Sequence, residues 1–260
     1  MKPLQAALGA GFALLLATAQ PSLGAEAAKA KPAPAATAEA DDIEPEAITA
    51  LQRMSAYLQT LKAFEIKGET SLELVMEDGQ KVTVDGTTRY QVQAPDGFLI
   101  EIATDKKARQ YYYDGKTVTV NAPKLGYYAS FPAPATIRAT LELAHDKYGI
   151  VVPLEDLFRW SDPTRARTGQ LQSAMVIGTA NIDGVQCDQY AFREGDIDWQ
   201  IWIQKGDKPV PRKVVIIDRT DEAHPAYIAR LDWNTSPQFT KATFAFTPAA
   251  DAKAIRMAAQ

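Results

Sequence analysis

This sequence has few of the residues on which most metal sites and nucleophilic active sites depend. It contains a single cysteine, Cys187, and only two histidines, His145 and His224. One thiol excludes an internal disulfide bond. Neither histidine has a second histidine or cysteine at the spacing of zinc ligands, so the sequence disfavours both a zinc site and Cys-His catalysis. We therefore expect no metal and no cofactor.

The sequence also lacks a basic cluster and, beyond its first residues, a long apolar run. Its 28 lysines and arginines are outnumbered by 32 acidic residues, which gives a net charge of −4. Without a concentration of positive charge, nucleic acid is not an expected partner. Without an apolar run of about 20 residues, no transmembrane helix is expected after the N-terminal segment.

The first 25 residues have the pattern of a secretory signal peptide. Lys2 supplies a short positive region, and residues 4–17 form an uncharged apolar run too short to span a bilayer. Small residues follow, and cleavage after Ala25 or Ala27 fits the pattern. Since Cys187 lies far from this segment, no cysteine is available there for lipid attachment. We expect a soluble periplasmic protein, exported through a cleaved signal peptide and not lipid-anchored.

The expected mature chain begins with a segment that has no hydrophobic period. Residues 26–42 are rich in alanine and proline and cannot bury enough apolar surface to offset the chain entropy. They are therefore predicted to be a disordered tether. No repeat and no linker follows residue 42, so residues 43–260 are predicted to form a single domain.

Most of that domain alternates between apolar and polar residues, which is typical of strands with one buried face. The clearest example is residues 64–76, where apolar side chains share one parity and glutamates share the other. Asp78-Gly79 predicts a turn, and the alternation then continues in reverse. The predicted strands cover residues 64–76, 82–92, 98–102, 111–113, 117–121, 127–131, 175–180, 185–193, 197–204, 214–218, 227–233 and 242–246.

Three helices are predicted beside these strands. Apolar residues recur every three or four positions over residues 45–62, and a second helix over 135–148 ends at Gly149. Residues 153–158 predict a shorter helix, followed by a polar loop over 161–170. With about eleven strands and about three helices, the fold class is mainly β (α+β).

An antiparallel sheet of this size, with one face exposed to solvent, twists into an open or closed barrel. Its apolar face either closes on itself to form a filled core or leaves a cavity for an apolar ligand. The residue pattern alone leaves both alternatives open.

Several motifs carry a resemblance to a known superfamily. They include Tyr112-Tyr113-Asp114-Gly115-Lys116, Tyr148-Gly149-Ile150 and, near the end, Phe244-Ala245-Phe246-Thr247-Pro248. With the order of helix, meander, helical insert and second meander, they resemble the LolA/LolB lipoprotein-carrier fold. Within it, the chain is most similar to an uncharacterised family of predicted periplasmic proteins. The resemblance implies an incomplete antiparallel β-barrel with helices covering its mouth.

The resemblance also implies a site, because the concave apolar face of the carriers takes acyl chains. We therefore expect a non-enzymatic binder or carrier of a hydrophobic ligand, either a lipid or an acyl chain. The alternative is an envelope protein-interaction or stress-sensing module with a filled core, whose partner would be another envelope protein. Candidate lining residues are Phe64, Leu72, Leu74, Val84, Tyr90, Ile100, Tyr112, Ile137, Leu141, Leu157, Phe158, Trp199, Ile201 and Trp233.

Residues 132–160 are predicted to be a lid over this cavity, with Leu154 also contributing to its lining. Short elements bounded by proline and glycine are suited to move as a unit.

Catalytic chemistry has little support. Glu65, Glu69 and Glu73 share the polar parity of one strand, which solvation explains better than acid-base catalysis. Cys187 lies in a predicted strand, where a small packed residue is the ordinary interpretation and a reactive thiol the alternative. We expect no catalytic residue.

Overall fold

A computed structural model describes residues 42–154 and 170–258, and its strands form one sheet of twelve in the order β12-β6-β5-β4-β3-β2-β1-β11-β10-β9-β8-β7. Neighbouring strands run antiparallel, except that β12 lies parallel to β6. Within the described ranges β12 and β7 are the two edges, so the sheet is open. The predicted class, a mainly β incomplete barrel, is confirmed. The predicted signal peptide and residues 26–41 of the predicted tether lie outside the described residues.

The strands are β1 (Ala63–Val75), β2 (Lys81–Gln93), β3 (Gly97–Thr104), β4 (Ala108–Tyr113), β5 (Thr117–Ala122), β6 (Tyr127–Pro132), β7 (Ser173–Ile182), β8 (Val185–Glu194), β9 (Ile197–Gln204), β10 (Pro211–Asp218), β11 (Ala226–Asn234) and β12 (Lys253–Ala254). The helices are α1 (Pro45–Thr60), α2 (Ile137–Tyr148) and α3 (Lys241–Phe244), with a 3₁₀ turn at Pro123–Leu125.

Helix α1 lies against the sheet through one apolar stripe. Proline suits its first turn, and Ala47, Ala50, Met54 and Leu58 are buried at the three- and four-residue spacing of one helix face. The start of the helix is held to β7, because the backbone N–H of Glu44 donates to the carbonyl oxygen of Ala174 at 2.8 Å. The helix predicted over 45–62 is confirmed and covers one side of the sheet.

Helix α2 connects the two meanders and begins and ends where capping chemistry dictates. The Thr136 side chain accepts a hydrogen bond from the Ala139 N–H at 3.3 Å, and Gly149 ends the helix with φ 61°. Leu141 and Ala144 are buried in the same core as α1. Both helices therefore cover the same face of the sheet.

The strand predicted over residues 242–246 is wrong. Lys241–Phe244 is a short helix whose first turn is closed by reciprocal hydrogen bonds between Thr240 and Thr243. Apolar residues two apart are compatible with one helical turn as well as with a strand, and the capping residues decide between them. The structure places Phe244 directly over Gly97, where a Cβ atom would lie 2.8 Å from the phenylalanine ring.

The end of the chain differs from the prediction in a second way. Lys253–Ala254 forms β12, which extends the sheet beyond β6 and was not predicted. The short helix predicted over 153–158 is described only at Pro153 and Leu154, which form a turn. The rest of that helix, and residues 161–169 of the predicted polar loop, lie outside the described residues.

Candidate functional site

The candidate site lies on the inner face of the sheet, defined here as the face covered by α1 and α2. Strand register assigns residues to this face. Ile66 stands opposite Tyr90 on one side and Trp233 on the other, and Tyr90 stands opposite Ile100. Across the second meander, Ile201 stands opposite both Val214 and Tyr190. The alternation read from the sequence therefore places one apolar set on the inner face.

The structure brings most of the predicted lining residues together on or against this face. Tyr90, Ile100, Leu141, Trp199, Ile201 and Trp233 are buried, whereas Phe64, Leu72, Leu74, Val84 and Ile137 are half-buried. Leu157 and Phe158 lie outside the described residues.

Tyr112 is the predicted lining residue that the structure places elsewhere. It stands opposite Leu99, whereas Ile100 faces Tyr111, so Tyr112 lies on the outer face. There its ring contacts that of Phe246 at a centroid distance of 5.2 Å, under the C-terminal segment. Three consecutive tyrosines contain no alternation, and the parity of this strand was therefore assigned wrongly.

One part of the inner face, which we call the covered half, is a packed core. Ile66 and Ile100 are 0% exposed and Tyr90 is 1% exposed. The Tyr90 hydroxyl donates to the carbonyl oxygen of Pro153 at 2.6 Å, and the Trp233 Nε1–H donates to that of Pro211 at 2.7 Å. These aromatic side chains therefore bury their apolar bodies while their polar tips are satisfied.

On β1 and β2, the burial of the inner-face side chains decreases toward the turn that joins these two strands. Leu72, Leu74 and Val84 are half-buried, and Val82, opposite Leu74, is 40% exposed. We call the inner-face residues of this region the hairpin half; they are Leu72, Leu74, Val82, Val84 and Tyr227. Met76, beside the turn, is 50% exposed and extends the apolar surface. An apolar surface of this kind, partly open and continuous with the core, is typical of a binding site.

Two glycines stand at the boundary between the halves. A Cβ atom at Gly86 would lie 2.6 Å from the carbonyl oxygen of Ala103, and one at Gly68 would overlap with Thr88 Oγ1. Neither approach is compatible with an ordinary non-bonded contact. Glycine at these positions thus permits a close approach of neighbouring groups at the centre of the sheet.

Tyr227 is one of the inner-face residues that the predicted lining residues did not include. It stands opposite Leu72 on β1 and Ile216 on β10. Its hydroxyl oxygen is buried and has no hydrogen-bond partner in the part of the chain that the structure describes. Burial raises the pKa of Tyr227, and it also raises the pKa of Tyr90, to which Tyr227 lies close enough to interact electrostatically. The signal was the apolar parity of residues 227–233, which Tyr227 begins.

Two of the acidic residues considered for catalysis, Glu65 and Glu73, lie on the outer face in cross-strand ion pairs. Glu65 pairs with Arg89 at 2.7 Å, and Glu73 pairs with Lys81 at 3.0 Å. The hydrogen bond from Lys81 lowers the pKa of Glu73. A carboxyl group that acts as a general acid needs a raised pKa, so this arrangement favours structural ion pairs over catalysis.

Asp198 repeats this arrangement on the second meander. Its two carboxylate oxygens accept hydrogen bonds from Arg193 at 2.6 and 2.8 Å, and this pairing lowers the pKa of Asp198. No three His, Cys, Asp or Glu side chains within residues 42–154 and 170–258 are grouped as they would be to hold a metal ion.

Cys187 is a packed residue. This agrees with its interpretation from the sequence as a small side chain packed in a strand. It is fully buried in a second, outer-face cluster with Ile182, Trp202 and Val215. Burial raises the pKa of its thiol, which disfavours the reactive thiolate.

The chain belongs to the family of predicted periplasmic proteins designated DUF2092, whose model matches residues 47–258. The family expected from the sequence is thereby confirmed. None of the curated proteins is significantly similar to this chain. Among the helices of the described ranges, none combines the length and the hydrophobicity needed to cross a bilayer.

Solved structures similar to this chain include LolA superfamily proteins. The chain is 13% identical to an uncharacterised conserved protein from Thermus thermophilus, with 81% of this chain and 99% of that chain covered and a TM-score of 0.46. It is 16% identical to LprF from Mycobacterium bovis, covering 82% and 100% with a TM-score of 0.42. It is 10% identical to the LolA superfamily protein NE2245 from Nitrosomonas europaea, covering 77% and 97% with a TM-score of 0.36.

Proposed function

We propose that this protein is a non-enzymatic binder or carrier of an apolar ligand, a lipid or an acyl chain, in the periplasm. The observation that carries the proposal is the difference in burial along β1 and β2. Ile66 and Tyr90 are completely packed, whereas Leu72, Leu74 and Val84 on the same face and the same strands are only half-buried. A ligand chain laid along the hairpin half would complete the burial that the protein leaves unfinished.

The hydrophobic effect supplies enough free energy for such binding. Each methylene group removed from water contributes about 0.8 kcal/mol. An acyl chain that buries about ten methylenes would then gain roughly 8 kcal/mol before the cost of ordering it, which corresponds to a Kd near the micromolar range. An affinity of this size permits both capture and release, as a carrier requires.

The positions of the carboxylate and thiol groups on the outer face also favour a binding role over catalysis. The carboxylates of Glu65, Glu73 and Asp198 are engaged in ion pairs on the outer face, and the Cys187 thiol is buried on that face. These groups are therefore separated from the apolar inner face by the sheet itself. The inner face offers apolar contact rather than a nucleophile or a general base.

The compartment is part of the proposal. We propose that the chain is exported with cleavage after Ala25 or Ala27, is not lipid-anchored, and consists of a tether over 26–42 and a domain over 43–260. The mass of the exported protein tests this directly. A mature form beginning near residue 26 is expected, and retention of Met1 or an added acyl mass would contradict it.

Part of the predicted lid lies in the described residues. Ile137 and Leu141 on α2 and Leu154 after it pack on the core, and the Tyr90 hydroxyl holds Pro153 in place. Movement of residues 132–160 during ligand uptake stays a prediction. The buried position of Leu141 means that a charge there would lower stability as well as uptake.

Two neighbouring substitutions test the proposed surface. Val84→Lys places a charge on the hairpin half, whereas Thr83→Lys places the same charge on the exposed outer face of the same strand. With cis-parinaric acid as a fluorescent probe, Val84→Lys should weaken binding at least about tenfold, because burying an unpaired charge is costly. Thr83→Lys should bind like the parent.

Two outcomes would contradict the proposal. Equal binding of the probe by Val84→Lys and the parent would remove the hairpin half as the site. The proposal would also fail if the protein carries no lipid in native mass spectrometry after expression and the delipidated protein binds no probe. The protein-interaction alternative would then remain.

A further inference from the structure

Two buried hydroxyl groups of the inner face, those of Thr88 and Tyr227, have no hydrogen-bond partner in the part of the chain that the structure describes, and Tyr227 is the one that belongs to the hairpin half. Tyr90, Tyr113 and Trp233 each direct a polar atom to a backbone carbonyl oxygen, at Pro153, Pro134 and Pro211 respectively. The Tyr227 hydroxyl is buried like them but has no partner in the part of the chain that the structure describes. Buried hydroxyls in folded proteins are nearly always hydrogen-bonded, so this exception calls for an explanation.

The position of Tyr227 connects this exception to the proposed ligand surface. On β11 it stands opposite Leu72, which in turn stands opposite Val84 on β2. On its other side it stands opposite Ile216. Tyr227 therefore belongs to the half-buried apolar surface, and its side chain packs against the core beside that surface. A ligand that covers Leu72 and Val84 would also cover Tyr227.

We propose that the Tyr227 hydroxyl donates a hydrogen bond to a neutral carbonyl oxygen of the ligand, so that the ligand is an acyl ester or amide and not a plain hydrocarbon. This inference rests on the proposed function and names the chemical class of its ligand. A phenol in an apolar environment stays protonated, and burial, which raises the pKa of Tyr227, acts in that direction. It is therefore a neutral donor at physiological pH.

A neutral acceptor fits this donor better than a carboxylate does. Bringing an ionised carboxylate among Leu72, Val84 and Ile216 would desolvate a full charge, which is costly unless a cation compensates for it. An ester carbonyl incurs a much smaller desolvation cost and recovers it in one hydrogen bond. The carbonyl would also fix how far the acyl chain extends along the face.

Two probes that differ only at the carbonyl test the inference. They are the methyl ester of a pyrene-labelled decanoic acid and the matching pyrene-labelled decyl methyl ether. The parent should bind the ester roughly three- to tenfold more tightly, as one net hydrogen bond predicts. In Tyr227→Phe this preference should vanish while the ether binds as before. Tyr128→Phe, on the outer face against Phe246, should keep the preference.

The stability of the ligand-free protein gives a second readout. Removing an unpartnered buried hydroxyl should leave the melting temperature of Tyr227→Phe equal to or above that of the parent. A lower melting temperature would show that the hydroxyl already has a partner in the folded protein and would overturn the inference.

The binding data separate this inference from the proposed function. If the parent binds ester and ether equally well, or if Tyr227→Phe keeps the preference for the ester, the role of Tyr227 is wrong and the apolar carrier stands. If the parent binds neither probe, both are overturned.

Discussion

The two halves of the inner face share β1, β2 and β11 but differ in what covers them. In the covered half, Ile66, Tyr90 and Ile100 are enclosed in the core to which α1 and α2 contribute. In the hairpin half, Leu72, Leu74 and Val84 are equally apolar but half-buried. Alternation along a strand therefore determines which face a side chain joins. Only the packing of other elements determines whether that side chain serves as core or remains available for binding.

The largest expected effect comes from truncating one residue in each half. Ile100→Ala should lower the free energy of unfolding by about 2–5 kcal/mol, because it leaves a cavity in a completely buried site. Leu72→Ala should cost only about 1 kcal/mol, because its side chain is already half in water. Denaturant unfolding of both variants measures the difference.

The same pair of variants also separates stability from function. Leu72→Ala should weaken the binding of cis-parinaric acid more than Ile100→Ala does at a temperature where both are folded. Equal losses of stability in the two variants would show that the halves are one continuous core, and the comparison would fail.

A smaller loss of stability is expected from adding a side chain at the boundary between the two halves. Gly86→Ala would bring a Cβ atom to 2.6 Å from the backbone oxygen of Ala103, and backbone cannot rotate away as a side chain can. We expect a loss of about 1–3 kcal/mol in unfolding free energy. The control Thr87→Ala, at the next position on the exposed outer face, should change stability by less than about 0.5 kcal/mol. A Gly86→Ala variant as stable as its control would contradict the close approach.

Much of the fold could be predicted from the sequence, because it depends on local periodicity. The alternation over 64–76 and 82–92 located β1 and β2 and assigned the inner face on them correctly. The three- and four-residue spacing located α1 and α2. These signals need no knowledge of distant residues, which is why they were sufficient for element type and for fold class.

The errors occurred where local periodicity is absent or ambiguous. Tyr111-Tyr112-Tyr113 contains no polar residue to mark the outer side, so the parity of Tyr112 depended on pairing with Leu99 that only the structure shows. Residues 242–246 are too few to distinguish a strand from a helical turn. Tyr227 was missed for another reason, since the lack of a hydrogen-bond partner is a property of three-dimensional surroundings.

The smallest expected effect concerns an ion pair behind the hairpin half. Glu73 Oε2 accepts hydrogen bonds from Lys81 Nζ and from the Ala226 N–H, both at 3.0 Å, and so connects β1 to the first residues of β2 and β11. Glu73→Gln should cost less than about 1 kcal/mol at neutral pH, because the pair is partly exposed to water. Hydrogen exchange of the hairpin amides should accelerate, while amides of the covered half such as those of Ile66 and Ile100 should not change.

The stability difference between the parent and Glu73→Gln should depend on pH in a defined direction. The folded pKa of Glu73 is lowered, so its stabilising contribution is complete above the unfolded pKa and is lost as the pH falls through the folded value. The difference between the parent and Glu73→Gln should therefore be largest near neutrality and disappear on acidification. A difference that persists below both pKa values would mean that the glutamine disturbs packing, and acceleration of exchange in both halves would show that the hairpin half does not open independently of the core.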